Sequence, residues 1–185
     1  VPLSFNAEPF FTFTPAMMAM ESEGYSLRWY RAILEDGVWR QALVNSLIVG
    51  GAATAIATAL GTLAAMGLAR GNVPMKGAIM GLIISPMITP VIIAAAGMYF
   101  FYSDLGLAQT HLGLILAHAA LGAPFVVITV TAALTGYDWN LTRAGSSLGA
   151  DPWTVFFRVT LPLILPGVIS GALFAFATSF DEVVT

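Results

Sequence analysis

Four long segments without a charged residue constrain the fold of this chain more than any other feature. They span residues 41–69, 77–102, 105–137 and 159–180, and only the third contains histidine. A helix needs about 20 apolar residues to cross the hydrocarbon core of a bilayer. Burial inside a large soluble protein is the alternative, but four such segments in 185 residues leave too little chain to bury them. We therefore predict an all-α, polytopic membrane helix bundle with about four full transmembrane helices.

The composition excludes several classes of function. Hydrophobic residues make up 58% of the chain and charged residues only 9%, whereas about a quarter of a soluble domain is charged. The net charge of −3 leaves no footprint for a nucleic acid. The sequence has no cysteine, two histidines and no GxxxxGK[ST] phosphate-binding loop. We therefore expect no metal, no cofactor and no hydrolysis of ATP by this chain itself.

Two regions of different polarity predict two domains. We predict that residues 1–40 hold the end of a preceding span and an extracytoplasmic or interfacial segment, and that residues 41–185 form the transmembrane domain. Within the first region, SLRWYRAIL at 26–34 fits an interfacial helix that places Trp29 and Tyr30 at the level of the lipid headgroups.

The charges of the short loops predict the orientation of the helices. The loop 70–76 has two basic residues and no acid, whereas the loop 103–110 has Asp104 and no base. Because Lys and Arg remain on the cytoplasmic side of short loops, the first loop faces the cytoplasm and the second faces outward. Because successive loops lie on alternate sides of the membrane, the next loop, 138–158 with Arg143 and Arg158, also faces the cytoplasm. The basic residues before position 41 lie outside and weaken this rule, although acidic residues accompany them.

A short polar segment between the last two apolar runs predicts a helical hairpin. Residues 141–148 form one helix, which Gly149 can end in the left-handed conformation. Asp151 caps a second helix, Pro152 occupies its first position, and this helix is expected to stop before Pro162. Three aromatic residues lie on this connection with little of their own domain to contact: Trp153, Phe156 and Phe157. Aromatic residues displayed in this way indicate a protein partner.

The same segment resembles the EAA loop of bacterial ATP-binding-cassette importer permeases. The pattern of that loop is E-A-A, three residues, Gly, nine residues and I-x-L-P. Ala144 and Gly149 match without gaps, and 159–162 supplies Val-Thr-Leu-Pro. Arg143 stands where the family has Glu, and Gly145 stands where it has Ala. The segments 26–36, 148–167 and 179–185 resemble the spermidine/putrescine branch of these permeases.

The resemblance implies a transport subunit rather than an enzyme. A separate cytoplasmic ATPase would receive the coupling loop 138–161, a second, related permease subunit would complete the pathway, and an extracytoplasmic binding protein would deliver the substrate. The implied location is the bacterial inner membrane, with one span missing at each end of this chain. The resemblance favours polyamines, and it leaves opines, other small organic cations and ferric iron open. The implied ATPase-coupling residues are Arg143, Ala144, Gly145, Gly149, Trp153, Phe156, Phe157, Leu161 and Pro162.

Asp181 and Glu182 follow an apolar run directly and are the candidate residues of a substrate pathway. An ionisable residue in a membrane segment is costly and therefore indicates function. Neighbours on a helix point about 100° apart, so both cannot face one pore, and the alternative is a solvated pair. An ion-gradient-driven transporter that uses this pair or a histidine is a second hypothesis, and an integral membrane enzyme is a third. We expect His111 to mark a helix entrance and His118 to form an interhelical hydrogen bond.

Overall fold

The computed structural model describes residues 2–10, 12–70 and 73–182, and most of them are helical. We number the α-helices in chain order: α1 Pro15–Met18, α2 Arg28–Glu35, α3 Gly37–Ala69, α4 Lys76–Ile88, α5 Val91–Asp104, α6 His111–Thr135, α7 Trp139–Ser147, α8 Pro152–Val155 and α9 Leu161–Asp181. One turn of π-helix, Phe156–Thr160, joins α8 to α9. No strand occurs in these ranges, and a single β-bridge joins Asn6 to Tyr25. The all-α prediction is therefore confirmed.

The chain divides into two compact units, Val1–Ser46 and Leu47–Thr185. The first unit is organised around the buried side chain of Asn6, whose Nδ2 donates to the carbonyl oxygens of Phe10 and Thr12, each at 2.8 Å. The indole N–H of Trp29 donates to the carbonyl of Asn6 at 3.0 Å and so holds the start of α2. These bonds satisfy an amide that would otherwise be costly to bury.

The second unit is built on α3, α6 and α9, which approach one another through small residues. A Cβ added at Gly61 would lie 2.7 Å from the Cβ of Val126, and one added at Gly122 would lie 3.6 Å from the Cβ of Ala57. Residue 57 of α3 thus lies next to residue 122 of α6, and residue 61 lies next to residue 126. Because both numbers increase together, α3 and α6 run in the same direction. The small-residue spacing of four in α3 thus forms a packing stripe, as in other membrane helices that lack a hydrophobic driving force between them.

Helix α9 runs antiparallel to α6 and packs against it through two glycines four residues apart. A Cβ added at Gly167 would lie 2.7 Å from the Cβ of Ala133, and one added at Gly171 would lie 2.7 Å from the Cα of Val126. Backbones approach this closely only where a side chain is missing on one side. Val126, Val130 and Ile164 fill the buried centre of the helix pair.

The second apolar run is divided rather than straight. Helices α4 and α5 meet at an angle of 103°, with Thr89 and Pro90 between them. Thr89 takes an extended conformation, with ψ of 132°, because a following proline disfavours the helical region. Pro90 therefore breaks this run, while Pro86 remains inside α4 and Pro124 inside α6. Three helices are long and apolar enough to span a membrane, and there are four if the bent pair is one span.

Candidate functional site

The hairpin begins directly after α6, and its turn depends on one left-handed residue. The Oδ1 atom of Asp138 accepts the backbone N–H of Asn140 at 2.9 Å and starts α7. At the other end of α7, the N–H of Leu148 donates to the carbonyl of Ala144. Gly149 follows with φ of +84°, a conformation that a residue with a Cβ rarely adopts. The sequence-based expectation of a glycine-terminated helix is confirmed.

Asp151 organises the second arm of the hairpin. Its Oδ1 accepts the N–H groups of Trp153 at 3.0 Å and Thr154 at 3.1 Å, and the hydroxyl of Thr154 donates to its Oδ2. The hydroxyl and N–H of Thr154, with the N–H of Trp153, hold the pKa of the Asp151 carboxyl below its ordinary value. Pro152 occupies the first helical position, where no N–H is needed. The predicted cap is confirmed.

The expectation that the second helix stops before Pro162 is wrong. The helix continues from Pro152 to Asp181, and the N–H of Leu161 bonds to the carbonyl of Phe156 in the π turn. Proline normally clashes with the carbonyl four residues earlier, but a π turn is wider than an α turn and leaves space for the ring. Leu161 packs on the core of the bundle and Pro162 is exposed. The second arm of the hairpin is thus continuous with α9.

Aromatic side chains extend from this arm into open space. Trp153 is 71% exposed and Phe157 is 57% exposed, with their rings stacked at a centroid distance of 6.3 Å. Phe156 is half-buried and meets Phe157 edge-on at 4.9 Å. Large exposed aromatic surface on a short segment is typical of a protein contact.

The first arm places its two unusual residues in different surroundings. Arg143 and Ala144 are exposed, whereas Gly145 faces the buried side chain of Val155. A Cβ at position 145 would lie 3.2 Å from Cγ2 of Val155, a tight contact that an alanine would have to relieve. Glycine at 145 therefore allows the two arms of the hairpin to close together.

A buried hydroxyl cluster joins the hairpin to the bundle. The phenolic oxygen of Tyr137 lies 2.6 Å from Oγ1 of Thr142 in α7 and 3.2 Å from Oγ1 of Thr160 in the π turn. The ring of Trp139 meets that of Tyr137 edge-on at 5.0 Å. Tyr137 follows α6, so these contacts connect α6, both arms of the hairpin and α9 at one point.

The two ends of the bundle carry opposite charges. The end formed by the last turns of α3 and α6 and the start of α9 holds Arg70, Arg143 and Arg158, with Asp138 and Asp151. The opposite end holds three acidic residues: Asp104 as the last residue of α5, Asp181 as the last residue of α9, and Glu182 directly after it. We call these the basic end and the acidic end.

At the acidic end, a buried polar pair lies beside one of the two candidate carboxylates. Nδ1 of His118 lies 2.7 Å from Oγ of Ser179, which joins α6 to α9 as an interhelical hydrogen bond. Glu182 is half-buried and close enough to interact electrostatically with His118, whereas Asp181 is exposed. The carboxylates therefore differ in surroundings, because Asp181 ends α9 and Glu182 follows it in an extended conformation. His111 is the first residue of α6, as expected for a helix entrance.

Comparison with known protein families identifies the family of this chain. Residues 57–185 match the family described as binding-protein-dependent transport system inner membrane component. The chain belongs to this family. It is a multi-pass protein of the inner membrane.

Several curated permeases are similar over most of the chain. The spermidine/putrescine transport system permease protein PotC of Haemophilus influenzae is 32% identical over 162 residues, which cover 88% of this chain and 63% of that protein. The PotC protein of Escherichia coli is 29% identical, covering 94% and 66%. The putrescine transport system permease protein PotI of Escherichia coli is 31% identical, covering 94% and 64%. The chain thus spans slightly less than two thirds of the length of these relatives.

Sequence reasoning missed several contacts of this inner membrane component. It did not identify Ser179 as the partner of His118 or Tyr137 as the link to the hairpin, because both depend on distant segments. It also overlooked Thr54, Thr58 and Thr62, whose hydroxyls are buried with no hydrogen-bond partner among the described residues. Their spacing of four was a visible signal, since it places all three on one face of α3.

Proposed function

We propose that this chain belongs to the permease subunit of an ATP-driven importer and that its hairpin couples a partner ATPase to the transmembrane helices. The observation that carries this proposal is the exposed aromatic hairpin that continues directly into α9. A displacement of the hairpin is transmitted to α9 because the connecting π turn remains hydrogen-bonded. The Tyr137 cluster transmits the same displacement to α6. The permease alternates between an inward-open and an outward-open state, and a displacement of the hairpin shifts the equilibrium between them.

The residues of the hairpin have distinct roles in this proposal. Trp153, Phe156 and Phe157 form the surface that enters a cleft of the ATPase, and Gly149 and Gly145 allow the hairpin to turn and close. Arg143 and Ala144 lie on the exposed face of the first arm. Leu161 and Pro162 join the second arm to the bundle.

The basic end of the bundle faces the cytoplasm in this proposal. The positive-inside rule supports this orientation, because Arg70, Arg143 and Arg158 gather at that end. The hairpin then lies on the side where ATP is available. The acidic end faces outward, where an extracytoplasmic binding protein delivers the substrate. A second, related permease subunit covers the part of the helices that is exposed here.

A polyamine is the substrate that we propose. The names of the PotC and PotI relatives state spermidine or putrescine transport, and the carboxylates of the acidic end suit a polycation. Glu182 is the stronger candidate of the pair because it is half-buried beside His118 and Ser179, and Asp181 is the more solvated one. A trehalose permease, SugB of Mycobacterium tuberculosis, is also 30% identical over 83% of the chain. Substrate class therefore requires direct measurement.

An ion-gradient-driven transporter is the second candidate function. The buried His118–Ser179 pair beside Glu182 favours it, because such groups can carry a coupling proton in a membrane bundle. The hairpin does not serve that mechanism, since a carrier of this kind has no ATPase to contact.

Uptake into proteoliposomes separates the candidates. The full-length permease, its partner permease, the ATPase and the binding protein are reconstituted, and uptake of radiolabelled spermidine, putrescine and trehalose is measured. An ATPase-inactive partner serves as the control. ATP-dependent polyamine uptake supports both the mechanism and the substrate, and ATP-dependent trehalose uptake would retain the mechanism alone. Uptake that follows a proton gradient with the inactive ATPase would replace the importer by the ion-driven transporter.

A further inference from the structure

A cavity of about 420 Å³ lies between the end of α3 and the first arm of the hairpin. Its lining consists of Ala69, Arg70, Trp139, Thr142 and Arg143, and we call it the arginine cavity. Two arginines, a tryptophan and a threonine thus line one cavity at the basic end of the bundle. The family resemblance offers no role for this combination.

The two arginines of this cavity lack a negative counterpart in the described part of the chain. Neither Arg70 nor Arg143 forms an ion pair with any residue in 2–10, 12–70 or 73–182. Asp138 is adjacent to the lining residue Trp139, but it is exposed and its Oδ1 accepts the N–H of Asn140. Two positive charges that line the same cavity attract an anion. Both arginines are exposed, so an anion from the membrane surface can reach them directly.

The arginine cavity lies at the depth of the lipid headgroups. Ala69 is the last residue of the membrane helix α3, and Arg70 follows it directly. Trp139 opens α7 only four residues after α6 ends at Thr135. Tryptophan with a half-buried ring is typical of the boundary between hydrocarbon and headgroups.

We propose that the arginine cavity binds the phosphate of an anionic phospholipid. Guanidinium groups form paired N–H···O bonds with phosphate oxygens, and basic pockets between transmembrane helices bind lipid headgroups in this way. The Thr142 hydroxyl lies in the same lining, and the apolar surface of Ala69 and Trp139 suits the adjoining glycerol and acyl carbons.

Binding has a mechanical consequence that rests on the proposed function. Arg70 directly follows α3, and Arg143 belongs to the hairpin that is proposed to contact the ATPase. One phosphate held by both guanidinium groups joins these two elements. An anionic lipid would thus stabilise the hairpin in the position from which it contacts its partner.

A carboxylate of the ATPase is the competing occupant. It would reach Arg143, which is exposed on the hairpin. The position of Arg70 and Trp139 at the membrane boundary favours the lipid, because a cytoplasmic protein contacts the hairpin beyond that boundary.

Native mass spectrometry of the purified full-length permease tests the lipid site without any transport. The protein is equilibrated in detergent with phosphatidylglycerol or phosphatidylcholine, and retained lipid is counted in wild type, Arg70→Gln, Arg143→Gln and the double variant. Arg158→Gln is the matched control, since it removes an exposed arginine from the same hairpin outside the cavity. We expect one retained phosphatidylglycerol and no retained phosphatidylcholine. Each cavity variant weakens retention about fivefold and the double variant about 25-fold, while the control remains within twofold of wild type.

Three results would overturn the lipid assignment. Equal loss in Arg158→Gln would mean diffuse attraction rather than a site. Displacement of the lipid by millimolar inorganic phosphate would assign the cavity to soluble phosphate. Unchanged lipid retention together with loss of ATPase binding in Arg143→Gln would assign it to a carboxylate of the partner. ATP-driven uptake by the wild type is measured separately, so failure of the lipid site and failure of the importer function are distinguishable.

Discussion

The phenolic oxygen of Tyr137 lies 3.2 Å from Oγ1 of Thr160, and this buried contact joins the end of α6 to the π turn that precedes α9. The two residues are 23 positions apart and enclose the whole hairpin between them. Thr142 adds a second contact to the same phenolic oxygen from α7. The hairpin is therefore held at its base while its aromatic tip remains exposed.

Removal of the phenolic hydroxyl should weaken coupling more than it weakens folding. Tyr137→Phe loses two hydrogen bonds, worth about 1 kcal/mol each, and keeps the edge-on contact with Trp139. We expect a lower ratio of substrate transported to ATP hydrolysed, with a modest decrease in thermal stability. Tyr99→Phe, which removes a hydroxyl from an exposed residue of α5, is the control. A lower melting temperature with an unchanged transport ratio would limit Tyr137 to a structural role.

Gly149 should tolerate no side chain because of its backbone conformation. Its φ of +84° costs a residue with a Cβ about 1–2 kcal/mol, although the space around it is open. We expect Gly149→Ala to reduce stimulation of the ATPase by substrate-loaded binding protein up to about tenfold, with normal membrane insertion. Gly136→Ala is matched, since that glycine is also unobstructed but has φ of −92°. Equal activity of both variants would contradict the strained turn.

Gly61 should be required for the close approach of α3 and α6. An added Cβ would meet Val126 at 2.7 Å, and overpacking of this kind costs about 1–3 kcal/mol. We expect Gly61→Ala to lower the free energy of unfolding in detergent, measured by thermal or SDS titration. Gly67→Ala on the same helix meets nothing within 4 Å and serves as the control. If both variants unfold alike, the two helices are not in contact at this point.

The two carboxylates at the acidic end should differ in their effect on uptake. Glu182 is half-buried near His118, whereas Asp181 is exposed, so Glu182→Gln should reduce polyamine uptake more than Asp181→Asn. Initial rates at several spermidine concentrations would separate KM from maximal rate, and assembly with the ATPase is checked by co-purification. Unchanged uptake in both variants would assign the pair to a solvated helix end.

The cap of α8 should weaken in acid. The pKa of Asp151 is lowered in the folded hairpin, chiefly by the hydroxyl of Thr154, so protonation favours the unfolded cap. The ionised Asp151 carboxylate stabilises the cap fully above the pKa of about 4 that it has in the unfolded chain. This stabilisation is lost as the pH falls through the lower pKa of the folded hairpin. Hydrogen-exchange protection of 153–155, corrected for intrinsic rates, should be constant from pH 5 to 8 and fall below about pH 4. Asp151→Asn should lose this pH dependence, and a similar acid transition in that variant would exclude Asp151 as its cause.

Much of the fold could be predicted because it depends on local signals. The absence of charge over four long runs dictates membrane helices, and Gly149, Asp151 and Pro152 dictate a turn and a new helix by their own backbone preferences. The break between α4 and α5 lies at Pro90, although Pro86 does not break α4. The matched EAA spacing identified the family, which the comparison with known families confirmed. The coupling and substrate roles of the individual residues stay predictions.

The tertiary structure decided what depends on residues far apart in the chain. The local pattern placed a helix end before Pro162, but a π turn precedes this proline and the second arm of the hairpin continues into α9. The pairing of His118 with Ser179 brings together residues 61 positions apart, which no local pattern could specify. Arg70 and Arg143 likewise meet in one cavity only after α3 and α7 have packed. Apolar runs and backbone preferences act within a few residues, so they determine the elements; distances between side chains arise only when those elements pack.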